Sequence, residues 1–180
     1  MTPTMLNRWA PWYSTGQRRP YGPTHTYLLA EEWLAGLHVE DWGCGYARFK
    51  DFHKGPYLGV DGTAGWADQV ADLTTHRSST DGLLLRHVLE HNHDWRAILR
   101  NAIASFTKRM ALVVFTPDSG IRNSEKVIGH VGALGVDDLA LPYWTIEHEF
   151  LVQPCEVVTK THLPTATGYS GETIWLVEKR

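Results

Sequence analysis

A chain of 180 residues is long enough for one domain and too short for two ordinary ones. Its 43% hydrophobic and 21% charged residues place it in the ordinary globular range and exclude the disordered and collagen-like classes. A net charge of −3 and a pI near 6.3 argue against a dominant phosphate-binding surface. A local basic patch remains compatible, so a nucleic acid is a less favoured partner than a small molecule.

Two cysteines, Cys44 and Cys155, cannot build a secreted disulfide framework, and a reducing, cytoplasmic setting is expected. No stretch approaches the roughly 20 apolar residues of a membrane span, so no membrane partner is expected. The segment from Met1 to Gly22 carries Arg8, Arg18 and Arg19 without an apolar core, unlike a signal peptide.

In chain order, residues 1–27 read as an irregular arm rich in Pro, Gly, Trp, Tyr and Arg. A helix follows from Thr26 to Gly36, with Leu28, Leu29, Trp33 and Leu37 on its apolar stripe. Leu37–Trp42 reads as a strand running into the turn Gly43-Cys44-Gly45. Short apolar runs at Tyr57–Val60, Val70–Leu73, Gly82–Leu85 and Met110–Phe115 read as further strands. Asp94–Phe106 has helical spacing through Trp95, Ile98, Leu99, Ala102, Ile103 and Phe106. Such alternation implies a parallel sheet covered on both faces. In the last third, Asn123–Leu134 and Thr145–Val152 are expected as helices, and Glu156–Leu163 and Thr173–Glu178 as strands. The turn chemistry of Thr167–Gly171 suggests that these two strands pair antiparallel.

The segment Val39–Phe49 carries the most chemistry. Glycines after a strand let the chain bend tightly and let a ligand approach main-chain N–H groups. About twenty residues on, Gly59-Val60-Asp61 ends the next strand with an acid at a distance suited to ribose hydroxyls. The full G-x-G-x-x-G spacing of nicotinamide enzymes is absent, since position 48 is Arg.

Here the sequence resembles class I S-adenosylmethionine-dependent methyltransferases, in particular the small type 11 domains. Asp41-Trp-Gly-Cys-Gly-Tyr-Ala-Arg-Phe49 is similar to their D-x-G-C-G-x-G-R-F motif, with Ala47 in place of the third glycine. Tyr57–Asp61 resembles their second-strand motif, and Ala71-Asp72-Leu73 their third. Asp81–His91 resembles the segment written around H-V-L-E-H, and Ala111–Pro117 the fifth strand. The sequence departs from the pattern at Glu40, where an apolar residue is usual, in the short polar stretch Thr74–Thr80, and at Gly82.

The resemblance implies a Rossmann-like three-layer α/β sandwich with a seven-stranded mixed sheet, one strand antiparallel, and S-adenosylmethionine across the strand tips. Gly43, Cys44, Gly45 and Tyr46 would lie against the methionine end. Asp61 and Gly62 would lie at the ribose, Asp72 and Leu73 near the adenine, and Arg86 and His87 at the site floor. Asp41 would anchor the turn or meet the ammonium group through water. For the His87–His91 segment three roles stay open: Glu90 or His91 bonding backbone at the strand end and orienting the turn, Arg86-His87 flanking the adenine or methionine part of the cofactor, or His87 or His91 serving as a general base.

The acceptor would be small or protruding, such as a nucleotide or sugar. It would be met by the arm (Trp9, Trp12, Tyr13, Arg18, Arg19, Tyr21, Tyr27), acting as a lid, and by Arg122, Tyr143, Trp144 and His148, unless the tryptophans simply pack the arm onto the sheet. Two other readings compete. His87-Val-Leu-Glu-His91 also spells H-x-x-E-H, a zinc-hydrolase signature when helical, although no metal is expected here. A non-catalytic cofactor-binding protein on the same fold is the other.

Overall fold

The computed structural model describes residues 24–116, 126–130, 137–164 and 171–180. Helix α1 (His25–Leu34) precedes β1 (Val39–Trp42), β2 (Tyr57–Asp61), β3 (Gln69–Val70) and β4 (Thr80–Arg86). Helix α2 (Trp95–Ser105) runs without a loop into β5 (Phe106–Thr116). A hairpin of β6 (Lys126–His130) and β7 (Asp137–Ala140), helix α3 (Tyr143–Leu151), β8 (Cys155–Pro164) and β9 (Gly171–Lys179) complete the order.

Seven strands form one sheet in the order β3-β2-β1-β4-β5-β9-β8. The first five are parallel, and β9 runs antiparallel to both neighbours, so the mixed sheet with one antiparallel strand is present as expected. The chain steps outward from β1 to β3 and then returns to β4 on the other side of β1. That reversal makes a switch point at the carboxyl ends of β1 and β4, where open α/β sheets bind ligands.

Period-2 alternation decides which side chain faces which layer. In β5, Met110, Leu112 and Val114 enter a core with Trp42, Leu83, Leu85 and the α2 residues Trp95, Ile98, Leu99, Ala102 and Ile103. Ala111 and Val113 point the other way, against Val39, Leu84 and the α1 residues Tyr27, Ala30 and Leu34. Both sheet faces are therefore covered, which is why the central strands read as unbroken apolar runs.

Two expectations shift. The run Val70–Leu73 gives only a two-residue strand, because Asp72 turns the chain instead of extending it. The helix expected over Asn123–Leu134 is replaced at Lys126–His130 by a strand paired with β7; Val127 and Ile128 are β-branched and suit that pairing. The rest of that stretch, the arm before Thr24 and most of the turn Thr167–Gly171 lie outside the described residues. The pairing that turn was expected to close is present. Strand β8, at the sheet edge, carries a bulge between Val157 and Thr159. Among the described residues no helix is long and apolar enough to cross a membrane.

Candidate functional site

Three acids mark the carboxyl ends of β1, β2 and β3. The chain leaves β1 through Gly43 (φ 73°) and Gly45 (φ 53°) and through Ala47 (φ 50°), which takes the left-handed conformation without being glycine. Gly43 N–H and Cys44 N–H both donate to Val60 O, at 2.7 and 3.3 Å, folding the turn onto β2. A Cβ built on Gly43 would run into Val88 Cγ2, so this position excludes side chains for steric as well as backbone reasons.

Asp61 organises the turn. Its Oδ2 accepts Gly45 N–H at 2.9 Å, and its Oδ1 accepts Thr63 N–H at 2.9 Å and Thr63 Oγ1–H at 3.0 Å. Asp72 concentrates its bonds on one oxygen: Oδ1 takes Thr74 N–H at 2.9 Å and Thr74 Oγ1–H at 2.7 Å. Among the described residues its other oxygen takes no hydrogen bond. Asp41 is buried and accepts Tyr57 Oη–H at 2.9 Å. Burial pushes the Asp41 carboxyl up to about 7 and nearby Asp61 adds to this, against the Tyr57 hydrogen bond and Arg86. The corner is acidic, and the Gly45 N–H already holds a carboxylate. Both properties favour a ligand carrying positive charge over a diphosphate.

The end of β4 is built differently. His87 has φ 54°, rare for a residue with a side chain. Its ring stacks on Phe115 with centroids 3.6 Å apart. His87 Nδ1 lies 2.9 Å from Glu90 Oε1, and Nε2 lies 3.1 Å from Glu172 Oε2. Arg86 reaches Glu172 at 3.6 Å, donates to Thr26 and Thr24 hydroxyls, and lies over the Tyr27 ring at 4.4 Å. Glu90 also takes Phe115 N–H at 3.0 Å. Burial pushes Glu90 and Glu172 up, yet the hydrogen bond and charge of His87 outweigh it and leave both below the usual carboxylate range.

These positions revise several expected roles. His87 has both ring nitrogens within hydrogen-bond distance of carboxylates, Glu90 and Glu172. Arg86 ties the end of β4 to α1 through Thr26 and Tyr27, and its charge also acts on Asp41 at the end of β1. Leu73 is buried in the core with Trp42 and Val60. Tyr27 is likewise buried, stacked with Phe49 and Phe52, so it cannot wall an acceptor pocket. Cys44 is buried with its Sγ near Gly59, which leaves only its backbone for a ligand, and burial raises its thiol pKa. Tyr46 and Gly62 are half-buried beside the turn, and His91 is half-buried after Glu90. Tyr143, Trp144 and His148 are exposed on α3. Trp9, Trp12, Tyr13, Arg18, Arg19, Tyr21 and Arg122 lie outside the described residues.

The H-x-x-E-H segment is not an α-helix: β4 ends at Arg86, and only Leu89–His91 makes a short 3-10 turn. Among the described residues no three His, Cys, Asp or Glu stand close enough to hold a metal ion. Sequence reasoning missed Glu172, whose partners lie 85 and 146 residues away, and no local signal points to it. The unusual Glu40 is also explained, since its Oε2 accepts Trp42 Nε1–H and Ser78 Oγ–H, both at 2.8 Å.

No family model matches the sequence, and the search of curated proteins found no match. Solved structures do match. The 1,6-didemethyltoxoflavin-N1-methyltransferase of Burkholderia thailandensis, bound to its substrate and S-adenosylhomocysteine, aligns with TM-score 0.69 at 15% identity, covering 97% of this chain and 87% of that one. The magnesium protoporphyrin IX methyltransferase of Synechocystis PCC 6803, with S-adenosylhomocysteine, gives 0.61 at 15%, covering 99% and 95%. The [4+2]-cyclase SpnF gives 0.64 at 9%, covering 85% and 80%. The fold is that of class I S-adenosylmethionine-dependent methyltransferases. SpnF, named as a cyclase, is a reminder that function must be argued from the site.

Proposed function

We propose that this chain is an S-adenosylmethionine-dependent methyltransferase acting on a small-molecule or nucleotide-like acceptor. The observation that carries the reading is the row of acids at three consecutive strand ends, Asp41, Asp61 and Asp72, around the Gly43–Gly45 turn. A cofactor with a sulfonium and an ammonium suits that acidic row, and the fold neighbours crystallised with S-adenosylhomocysteine support it.

When bound, the sulfonium supplies a methyl group already activated for attack. The protein's task is then placement and exclusion of water. The backbone of Gly43–Tyr46 would hold the methionine end, with Asp61 and Gly62 at the ribose. Asp72 would offer its unengaged oxygen to the adenine amino group. Asp41 would settle the nearby positive charge. His91 retains the base role expected of this segment. His91→Gln should lower turnover about 100-fold while leaving cofactor affinity unchanged.

The test is calorimetric titration with S-adenosylmethionine and S-adenosylhomocysteine, for the wild type and for Asp72→Ala. Asp72 is preferable to Asp61, whose carboxylate also holds the glycine turn together. Micromolar binding weakened by the substitution is the expected outcome. Failure of both ligands to bind overturns the proposal.

A further inference from the structure

The amino end of the sheet carries a concavity of its own, away from the acidic strand-tip rim. It is a cleft of about 400 Å³ lined by Leu37, Thr107, Lys108, Arg109, Glu178 and Lys179. At about 3.3 Å per residue, β5 sets Arg109 roughly 20 Å from Thr116 at that rim. Three cations thus face one lining carboxylate, in a chain whose net charge is −3. Each cation is braced and keeps N–H groups to give. Arg109 lies over the Trp33 ring at 4.6 Å and donates to Trp33 O at 3.2 Å. The Glu178 carboxylate stands 3.9 Å from it, beyond hydrogen-bond length. Lys179 lies over the Phe106 ring at 4.9 Å and donates to Ile103 O at 2.7 Å, an uncharged partner. Lys108 is matched by Asp81 at 3.1 Å, and Glu156, across β8 from Glu178, is matched by Arg180 at 3.5 Å. With Asp81 and Glu178 both counted, the cations of the cleft still outnumber the carboxylates.

We propose that this cleft is an anion site that takes a phosphate dianion, free or carried on a small ester. Two lysines and an arginine fork around one concavity suit a tetrahedral oxyanion, to which each can give a charge-assisted hydrogen bond. Phosphate carries about −1.5 to −2 charges at neutral pH, so it gains more from the excess of cations than a singly charged carboxylate does. Leu37 supplies an apolar wall, and the volume leaves room for a few carbons beside the phosphate. The side chains of Lys108 and Arg109 are 59% and 40% exposed, so a ligand reaches them from solvent and salt weakens its hold. No residue of the strand-tip rim takes part, and the proposal stands apart from the methyltransferase reading.

The test titrates inorganic phosphate, glycerol 3-phosphate, glycerate and glycerol into the full chain at neutral pH and constant ionic strength. Amide NMR signals of Thr107, Lys108 and Lys179 report the cleft, and those of Gly45 and Asp61 report the rim. Both phosphates should shift the first set and leave the second in place, with glycerol silent. Glycerol 3-phosphate should bind about 3-fold or more tightly than glycerate. Lys179→Gln should weaken both phosphates about 5-fold or more, and Glu178→Gln, which removes the opposing carboxylate, should tighten them. Tighter binding of the ester than of inorganic phosphate names an ester as the ligand; equal binding names the free ion. The proposal is overturned by unmoved cleft signals with both phosphates, by shifts confined to Gly45 and Asp61, or by glycerate binding as tightly as its phosphate counterpart. Unchanged affinity in Lys179→Gln also overturns it. If that variant does not fold, Glu178→Gln decides, since Glu178 is 52% exposed and its exchange leaves the packing alone. Phosphate binding that stays the same or weakens in Glu178→Gln then sinks the idea.

Discussion

The two halves of the strand-tip rim are held together by different means. At the ends of β1, β2 and β3, each acid bonds to main chain or hydroxyls nearby in sequence: Asp61 to Thr63 and to Gly45, Asp72 to Thr74, Asp41 to Tyr57. At the ends of β4, β5 and β9, Arg86, His87, Glu90 and Glu172 form one charged network that reaches back to Thr26 on α1. The first half is a set of turns, each tied by its own acid; the second is a long-range clamp across the sheet.

The largest effect should come from breaking the local half at its tightest point. Gly43→Ala forces a Cβ onto Val88 in a left-handed conformation and should cost about 3–4 kcal/mol of unfolding free energy. A denaturant titration reads this directly, and cofactor binding should disappear with it.

Next comes the pH dependence set by Asp41, raised in the folded state from 3.8 to about 7. Between those values the folded protein holds a proton that the unfolded chain has released. Stability should therefore fall as pH rises from about 4 to about 7, by up to about 1.4 kcal/mol per unit from this group. Asp41→Asn keeps an oxygen for Tyr57 and should flatten that slope in denaturation measured across pH. If the slope is unchanged, burial does not hold the Asp41 carboxyl up in the fold.

Glu172→Ala sharpens the contrast from the other side. Removing a partner of both His87 and Arg86 should cost about 2 kcal/mol. Affinity for S-adenosylhomocysteine should nonetheless stay within about twofold, since no cofactor-facing group is touched. A large loss of affinity would show that the two halves are coupled. The smallest effect belongs to Ala47→Gly, which relieves the left-handed strain but loosens the unfolded chain. A gain of about 0.5 kcal/mol in the same denaturant assay is expected.

That contrast also explains what the sequence could tell. The glycine turn and Asp61 were legible because a tight turn and its acid are written within about twenty residues. The central strands were legible because strands covered on both faces spell continuous apolar runs, as Leu83-Leu84-Leu85 does. The role of His87 was not legible. His-Val-Leu-Glu-His suggests a base, a metal ligand or an acid bonding backbone at the strand end, as Glu90 does with Phe115, but only the approach of Glu172 from β9 shows the His87 ring set between two carboxylates. The hairpin at Lys126–His130 was misread for a similar reason, because its pairing with β7 is a tertiary decision that local spacing does not record.

The two ends of the sheet bear on how copies of this protein behave toward one another. One border strand, β3, is two residues long, and the other, β8, is broken by its bulge at Val158. An open row of peptide groups is a template on which another chain can add, and short or kinked borders spoil that template. Both margins therefore make poor templates, and crowded solutions of the native protein should resist growing by strand addition into fibres.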